Sequence, residues 1–229
     1  MGIVAPAAGP YGSSKVRETP AVDLDELLAP ESTAVVTMEL QRAVVGDLAV
    51  LPELRDAVAE VGMVDNAAAL CRAARAVGAR VVHCIAVFRP DRAGSAANCR
   101  LLVAAAELMG DRMDEGRPGA ELVPELDVVA SDVVIARYHG LTPFTGTDLD
   151  QTLRNLGVST VVAVGSSLNV GVSGLVMSAV DLGYQVVIPD DAVVGVPLDY
   201  GRAVLTNALG LLATVVGSSD VIACWERDG

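Results

Sequence analysis

Glu39 closes the run Thr33-Ala-Val-Val-Thr-Met-Glu39, so a carboxyl group stands where an apolar strand gives out. Burial beside apolar walls disfavours the charged carboxylate and raises its pKa, as a general acid requires. Arg137, at the end of Asp132-Val-Val-Ile-Ala-Arg137, offers a fixed positive charge. It cannot shuttle protons, because guanidinium stays protonated above pH ~12. Two roles stand open for it: binding a substrate carboxylate, or neutralising Glu39 in a structural ion pair. His139 follows two residues later and is either a loop acid or base or a partly exposed loop histidine. Ser166, Ser167 and Asn169 fall in a turn that leads into a helix, with Gly171 close behind. Free N–H groups at such a helix start favour an anion or a developing oxyanion, and Asn169 reads as the N-cap. No Ser-His-Asp order or nucleophile elbow accompanies the serines. Arg89 and Asp91 follow another strand and add a second candidate anion contact at Arg89.

The thiols and imidazoles exclude other chemistry. Cys71, Cys84, Cys99 and Cys224 form no C-x-x-C pair, and two histidines give no zinc spacing. Reduced cysteines in a cytoplasmic protein are the expectation. His83 and Cys84 lie within a strand and read as core. Asp190 and Asp191 read as structural, holding the loop into the final helix. There are fifteen arginines and one lysine, Lys15.

The elements that must position these groups alternate as in α/β proteins. Strands are expected at 33–39, 79–87, 132–136, 160–164, 184–188 and 220–224, the Val-rich ones buried on both faces as in parallel sheets. Helices are expected at 65–78, 98–109, 148–156, 169–182 and 199–216, with a short one at 23–28 ended by Pro30. Residues 89–127 form a long excursion. The prediction is a three-layer, doubly wound, Rossmann-like fold with a six-stranded parallel sheet in order 3-2-1-4-5-6 and helices on both faces. Ligands bind such sheets beyond the carboxyl ends of the strands, near the switch between strands one and four. Residues 1–21, rich in Pro, Gly, Ser and Ala, read as a flexible arm ahead of a single domain over 22–229.

With 52% apolar residues the chain can build a large core, and with 3% aromatics that core must be Val, Ala and Leu. A net charge of −13 makes nucleic acid and anionic membranes poor partners. No apolar stretch reaches the ~20 residues of a membrane helix, and the start of the chain lacks the pattern of a secretory signal.

Several motifs, in order, resemble the isochorismatase-like (cysteine hydrolase) superfamily: Ala34-Val-Val-Thr-Met-Glu-Leu-Gln41, Gly119-Ala-Glu-Leu-Val-Pro-Glu-Leu126, Phe144-Thr-Gly-Thr-Asp-Leu149, Gly165-Ser-Ser-Leu-Asn-Val-Gly-Val172, Asp181-Leu-Gly-Tyr184 and Asp190-Asp-Ala192. The resemblance runs from about residue 23 to 222. It implies that the family Asp is Glu39 here, that the family Lys position lies near Arg137 or Tyr138, and that the nucleophilic Cys position falls on Gly171. It also implies a cis Ser166–Ser167 peptide and a homodimer or homotetramer. Metal ligands occur in nicotinamidase-like relatives near Arg89, but Phe88-Arg-Pro-Asp91 offers no histidine. No metal and no cofactor are therefore expected.

Glycine at the Cys position also resembles the true isochorismatases, which cleave a vinyl ether by acid chemistry without a covalent intermediate. The expectation is a hydrolase of a small, anionic metabolite using Glu39 as general acid or base. The alternatives are a catalytically silent metabolite-binding or structural subunit, and an amidase with a relocated thiol from Cys84 or Cys99.

Overall fold

The computed structural model describes residues 23–227. The N-terminal arm inferred for 1–21 lies outside them. The strands in chain order are β1 (Thr33–Met38), β2 (Arg80–Ala86), β3 (Val133–Arg137), β4 (Thr160–Ser166), β5 (Gln185–Pro189), a two-residue β6 (Val193–Val194) and β7 (Thr214–Val216). The helices are α1 (Leu24–Leu27), α2 (Pro52–Val61), α3 (Met63–Val77), α4 (Arg100–Met109), α5 (Leu149–Asn155), α6 (Gly171–Asp181), α7 (Leu198–Asn207) and α8 (Ser218–Arg227). All the recorded ladders are parallel, in the order β3-β2-β1-β4-β5-β7, with β6 paired to the end of β4.

Strand side chains alternate between faces, and both faces are covered. Val35, Val81 and Val162 join the core under α2, α3 and α8. Ala34, Val36, Met38 and Val161 join the core under α5 and α6. All six residues of β1 and all seven of β4 are therefore buried. Each fully buried Val or Leu contributes about 1.5–3 kcal/mol of apolar transfer, so these uninterrupted Val runs suit the centre of the sheet.

The expected architecture is present, with corrections at its C-terminal end. The last sheet position is filled by β7, not by residues 220–224. Those belong to α8, where Val221, Cys224 and Trp225 are buried at helical spacing and Trp225 Nε1 donates to Leu28 O at 2.9 Å. The long helix expected over 199–216 stops at Asn207, followed by a 3-10 turn at Leu209–Leu211 and then β7. Asp191 accepts from Ser218 N and Oγ at 2.8 and 2.7 Å and so anchors the start of α8. At the front of α3 no side chain caps the helix, which starts at Met63, two residues before the expected Asp65. Gly62, at φ +70°, ends α2 and starts α3 in one residue. His83 is the hydrogen-bonded core histidine expected: Nδ1 meets Thr37 Oγ1 at 2.9 Å, and Nε2 lies 3.4 Å from Asp132.

The sheet order reverses between β1 and β4. In register, Met38 lies beside Cys84 of β2 and Gly165 of β4, so Glu39 is the first residue beyond the sheet at that reversal.

Candidate active site

Glu39 leaves β1 in the left-handed region, at φ +53°. For a residue with a Cβ this costs on the order of 1–3 kcal/mol, and it turns the side chain off the strand line into the crevice. The conformation is held on both sides. Glu39 N donates to Cys84 O at 2.9 Å. Buried Gln41 then ties the following chain down, donating to Ala86 O and Ala120 O and accepting from Ala86 N, each at 2.8 Å. Across from it, Gly165 sits at φ +115°, and a Cβ there would lie 2.3 Å from Met38 O. Only glycine permits β1 and β4 to approach this closely.

Arg137 ends β3 and reaches over β2. Its guanidinium donates to Glu39 Oε1 and to Gly140 O. The side chains are 9% exposed for Arg137 and 23% for Glu39, so the pair is largely withdrawn from water. Burial pushes the Glu39 carboxyl above its ordinary range, with the charge and hydrogen bond of Arg137 pulling against it.

These groups form the floor of a cavity of about 210 Å³. Ser166 and Ser167 line it, joined by a cis peptide bond, as does Gly171 at the start of α6. His139 also lines it, on an exposed loop. Asn169 does not. The first helical residue is Gly171 and the N-cap position is Val170, without a side-chain cap. Asn169 Nδ2 donates instead to Val196 O at 2.6 Å, and its Oδ1 is buried without a partner. The N-cap role expected of Asn169 is therefore corrected: the chain tightens through Val170 N–H to Ser167 O at 3.2 Å before the helix begins, leaving Asn169 to bridge to the Val196 loop.

Arg89 is also outside the wall. It lies exposed in a two-point pair with Asp91, at 3.0 and 2.9 Å, and Arg89 with the Ala93 N–H holds the Asp91 carboxyl down at about 2. Arg92, not foreseen from the sequence, takes the place at the cavity. Its guanidinium lies 5.1 Å over the Phe88 ring and donates to Asp114 Oδ1 and Arg89 O at 2.5 and 2.6 Å, and also to Gly110 O just past α4. Arg92 thus clamps α4 across the cavity, and its charge is answered by Asp114. The only local signal for it was a basic residue beyond β2.

No cysteine lines this cavity. Cys84 is buried beneath it, with its thiol pushed up to about 12 by burial, and Cys99 is exposed ahead of α4. At Gly171 a Cβ would lie 3.0 Å from Met38 Cε and 3.1 Å from Ser166 O, so the Met38 methyl group crowds the space a side chain would enter. Among the described residues no group of three or more His, Cys, Asp or Glu side chains converges as a metal site.

Comparison with known proteins agrees with this fold. The profile of the isochorismatase domain matches residues 33–220. An uncharacterized isochorismatase family protein, YwoC of Bacillus subtilis (strain 168), is 40% identical over 73 residues. That stretch is 32% of this chain and spans 38% of the length of that curated relative. The structure of an isochorismatase family protein from Burkholderia thailandensis superposes with a TM-score of 0.71 at 28% identity, covering 86% of this chain and 96% of that one. The N-carbamoylsarcosine amidase from Thermoplasma acidophilum superposes with a TM-score of 0.64 at 26% identity, covering 82% and 96%. With most of the chain matched by the domain profile and the site at the sheet's reversal, this protein belongs to the isochorismatase family.

Proposed function

We propose that the chain is a hydrolase of a small anionic metabolite in which Glu39 handles the proton and no covalent intermediate forms on sulfur. The observation that carries this reading is the Glu39–Arg137 pair at the floor of a cavity whose wall holds no thiol. The two positive side chains at the cavity are already answered, Arg137 by Glu39 and Arg92 by Asp114. An arriving carboxylate therefore competes with Glu39 for Arg137. Once displaced from the guanidinium, a carboxyl that burial already raises takes up a proton. Substrate binding thus converts the ion pair into an anion-binding arginine beside a neutral carboxylic acid. The two roles of Arg137 that the sequence leaves open become successive states of one site.

On an enol ether, the Glu39 carboxyl delivers its proton to the vinyl carbon and leaves an oxocarbenium ion. Water adds to that cation and returns a proton to Glu39. The hemiketal so formed collapses to a carbonyl compound and an alcohol, so atoms and charge balance without any bond to the protein. Ser166 and Ser167 border the same floor and supply polar contacts to the reacting oxygens. His139, on its exposed loop, is a secondary candidate for directing water. Arg89 and Asn169, turned to other partners, take no part.

The test is turnover by Glu39→Gln across vinyl ethers, esters and amides bearing a carboxylate. Loss of at least 10²-fold in kcat on any substrate the parent hydrolyses is expected, in the range for removal of a general acid. Full activity in the variant refutes the role. The closed Glu39–Arg137 pair also favours a second reading, a metabolite-binding relative without turnover. It holds if carboxylates bind and none of the three bond types is cleaved by the parent protein.

A further inference from the structure

From the wall of the cavity we infer that the substrate carries an extended apolar group, seated against α4 and Phe88, behind the carboxylate and scissile bond held at Glu39 and Arg137. The inference rests on the reading of Glu39 and Arg137 as the reacting end.

The cavity is divided by chemistry. Its floor, at the sheet ends, carries Glu39, Arg137, Ser166 and Ser167. Away from the floor the wall turns apolar. Leu102, Ala105 and Met109 present one face of α4 to it, at the i, i+3, i+7 spacing that aligns side chains on a helix. Phe88, Leu54 and Met113 complete this upper part. α4 has no fully buried residue, although its sequence is Arg-Leu-Leu-Val-Ala-Ala-Ala-Glu-Leu-Met. An apolar helix whose contact with the closed core is made by Met109, and which is clamped by Arg92 through Gly110 and Asp114, gains further burial when something apolar fills the space beneath it. The clamp neutralises the one cation in this upper part, so the wall offers an incoming group no unanswered charge. A wholly polar metabolite would leave these side chains wet and forgo their contribution. Ala105 at the centre of the face leaves room for a chain or ring where a larger residue would close the space.

Two homologous ligand series test this by calorimetry on the full-length protein at fixed pH: butyrate, hexanoate and octanoate, and the matching 1-alkanols. Transfer of one methylene from water to an apolar wall strengthens binding about fourfold. Affinity is expected to rise on the order of tenfold from each member to the next, each adding two methylenes, until the cavity fills. Ala105→Asp places a carboxylate on the wall and is expected to flatten both series. Ala105→Leu, which keeps the wall apolar and folding intact, is expected to lower the affinity for the longest member at least fivefold relative to butyrate. Affinity that does not vary with length in the parent protein overturns the inference. So does an apolar α4 face that sedimentation shows is covered by a second copy of the chain, released as monomer by Ala105→Asp. The alkanols report on the wall alone. If they show the length dependence while carboxylate binding is indifferent to Glu39→Gln, the wall assignment stands and the Glu39 reading falls. The converse pattern sinks the wall and spares Glu39.

Discussion

Binding of a small carboxylate is expected to take up one proton, and Glu39 is the group that receives it. The perturbation is pH, with benzoate as the probe from roughly pH 6 upward, where it is fully ionised. Were benzoate to bind without a proton, two carboxylates would share Arg137. At a separation of about 5 Å and an effective dielectric near 20, their repulsion is about 3 kcal/mol. Protonating Glu39 instead costs about 1.4 kcal/mol for each pH unit above its pKa. The proton therefore wins for about two pH units above that pKa, and a plateau follows. Over that window Kd is expected to rise about tenfold per pH unit, because each binding event consumes one proton. Calorimetry in two buffers of different ionisation enthalpy counts the proton directly. Glu39→Gln should remove both the slope and the proton. A flat profile in the parent protein refutes the charge exchange. A slope that survives in Glu39→Gln but vanishes in His139→Asn assigns the proton to the loop imidazole, and the reasoning about Glu39 fails.

Other perturbations test how the site is held. The Asp132 side chain is 1% exposed and accepts from Arg75 at 2.6 and 3.1 Å and from Val129 N at 3.0 Å. Asp132→Asn breaks this pair and should cost about 2–4 kcal/mol by chemical denaturation, somewhat below the full value for a buried pair because Arg75 keeps some solvent. Burial lowers the pKa of His83, and Asp132 is also held low, since Arg75 and the Val129 N–H outweigh its burial. Both groups bind protons more readily when unfolded. Stability should therefore fall as pH drops below 6.5 for His83 and again from about 3.8 downward for Asp132, which thermal melts across pH will show. Gly165→Ala meets Met38 O and a positive φ at once, and should cost about 3 kcal/mol or more, lowering Tm by roughly 10 °C. Iodoacetamide on the native protein should label Cys99 alone, since Cys71 and Cys84 are buried with thiols pushed up to about 12 and Cys224 is buried too. Ligand binding should survive that label. Loss of it would bring back a thiol at the site.

The sheet was readable because its strands are extreme. A run such as Val-Val-Thr-Met or Val-Val-Ala-Val bounded by turn residues has few other places to go in a chain this apolar. The C-terminal end misled for the opposite reason: Asp220-Val-Ile-Ala-Cys224 is too short to separate period two from period 3.6. Trp225, whose indole bonds to Leu28 O, shows which period holds. Around the cavity, Glu39, Ser166 and Ser167 were legible because each ends or directly follows a strand flanking the reversal of the sheet, Arg137 because it ends β3, and Gly171 because it heads the helix that follows β4. Arg89 and Asn169 were misplaced because local partners capture them: Asp91 lies two residues from Arg89, and the Val196 carbonyl draws Asn169 across. Arg92 was illegible, since its role depends on Asp114 and Gly110, both distant in sequence and fixed only by the fold of the excursion.

The apolar wall and the charge exchange at Arg137 reinforce each other physically. A carboxylate bound in open water would interact with Arg137 too weakly to force a proton onto Glu39, because screening reduces the repulsion to a fraction of a pH unit. Under α4 the same charges sit in a lower dielectric, and the repulsion grows until protonation is the cheaper outcome. A ligand whose apolar part fills the space beneath Leu102 and Ala105 excludes the remaining water and strengthens this further. Longer carboxylates should thus bind more tightly and also carry the one-proton slope to higher pH than short ones. A side chain at Gly171 would require the Met38 methyl group and the Ser166 carbonyl to move from this floor. Without one, the acid at the end of β1 is the group best placed to meet a substrate that the wall has already dried.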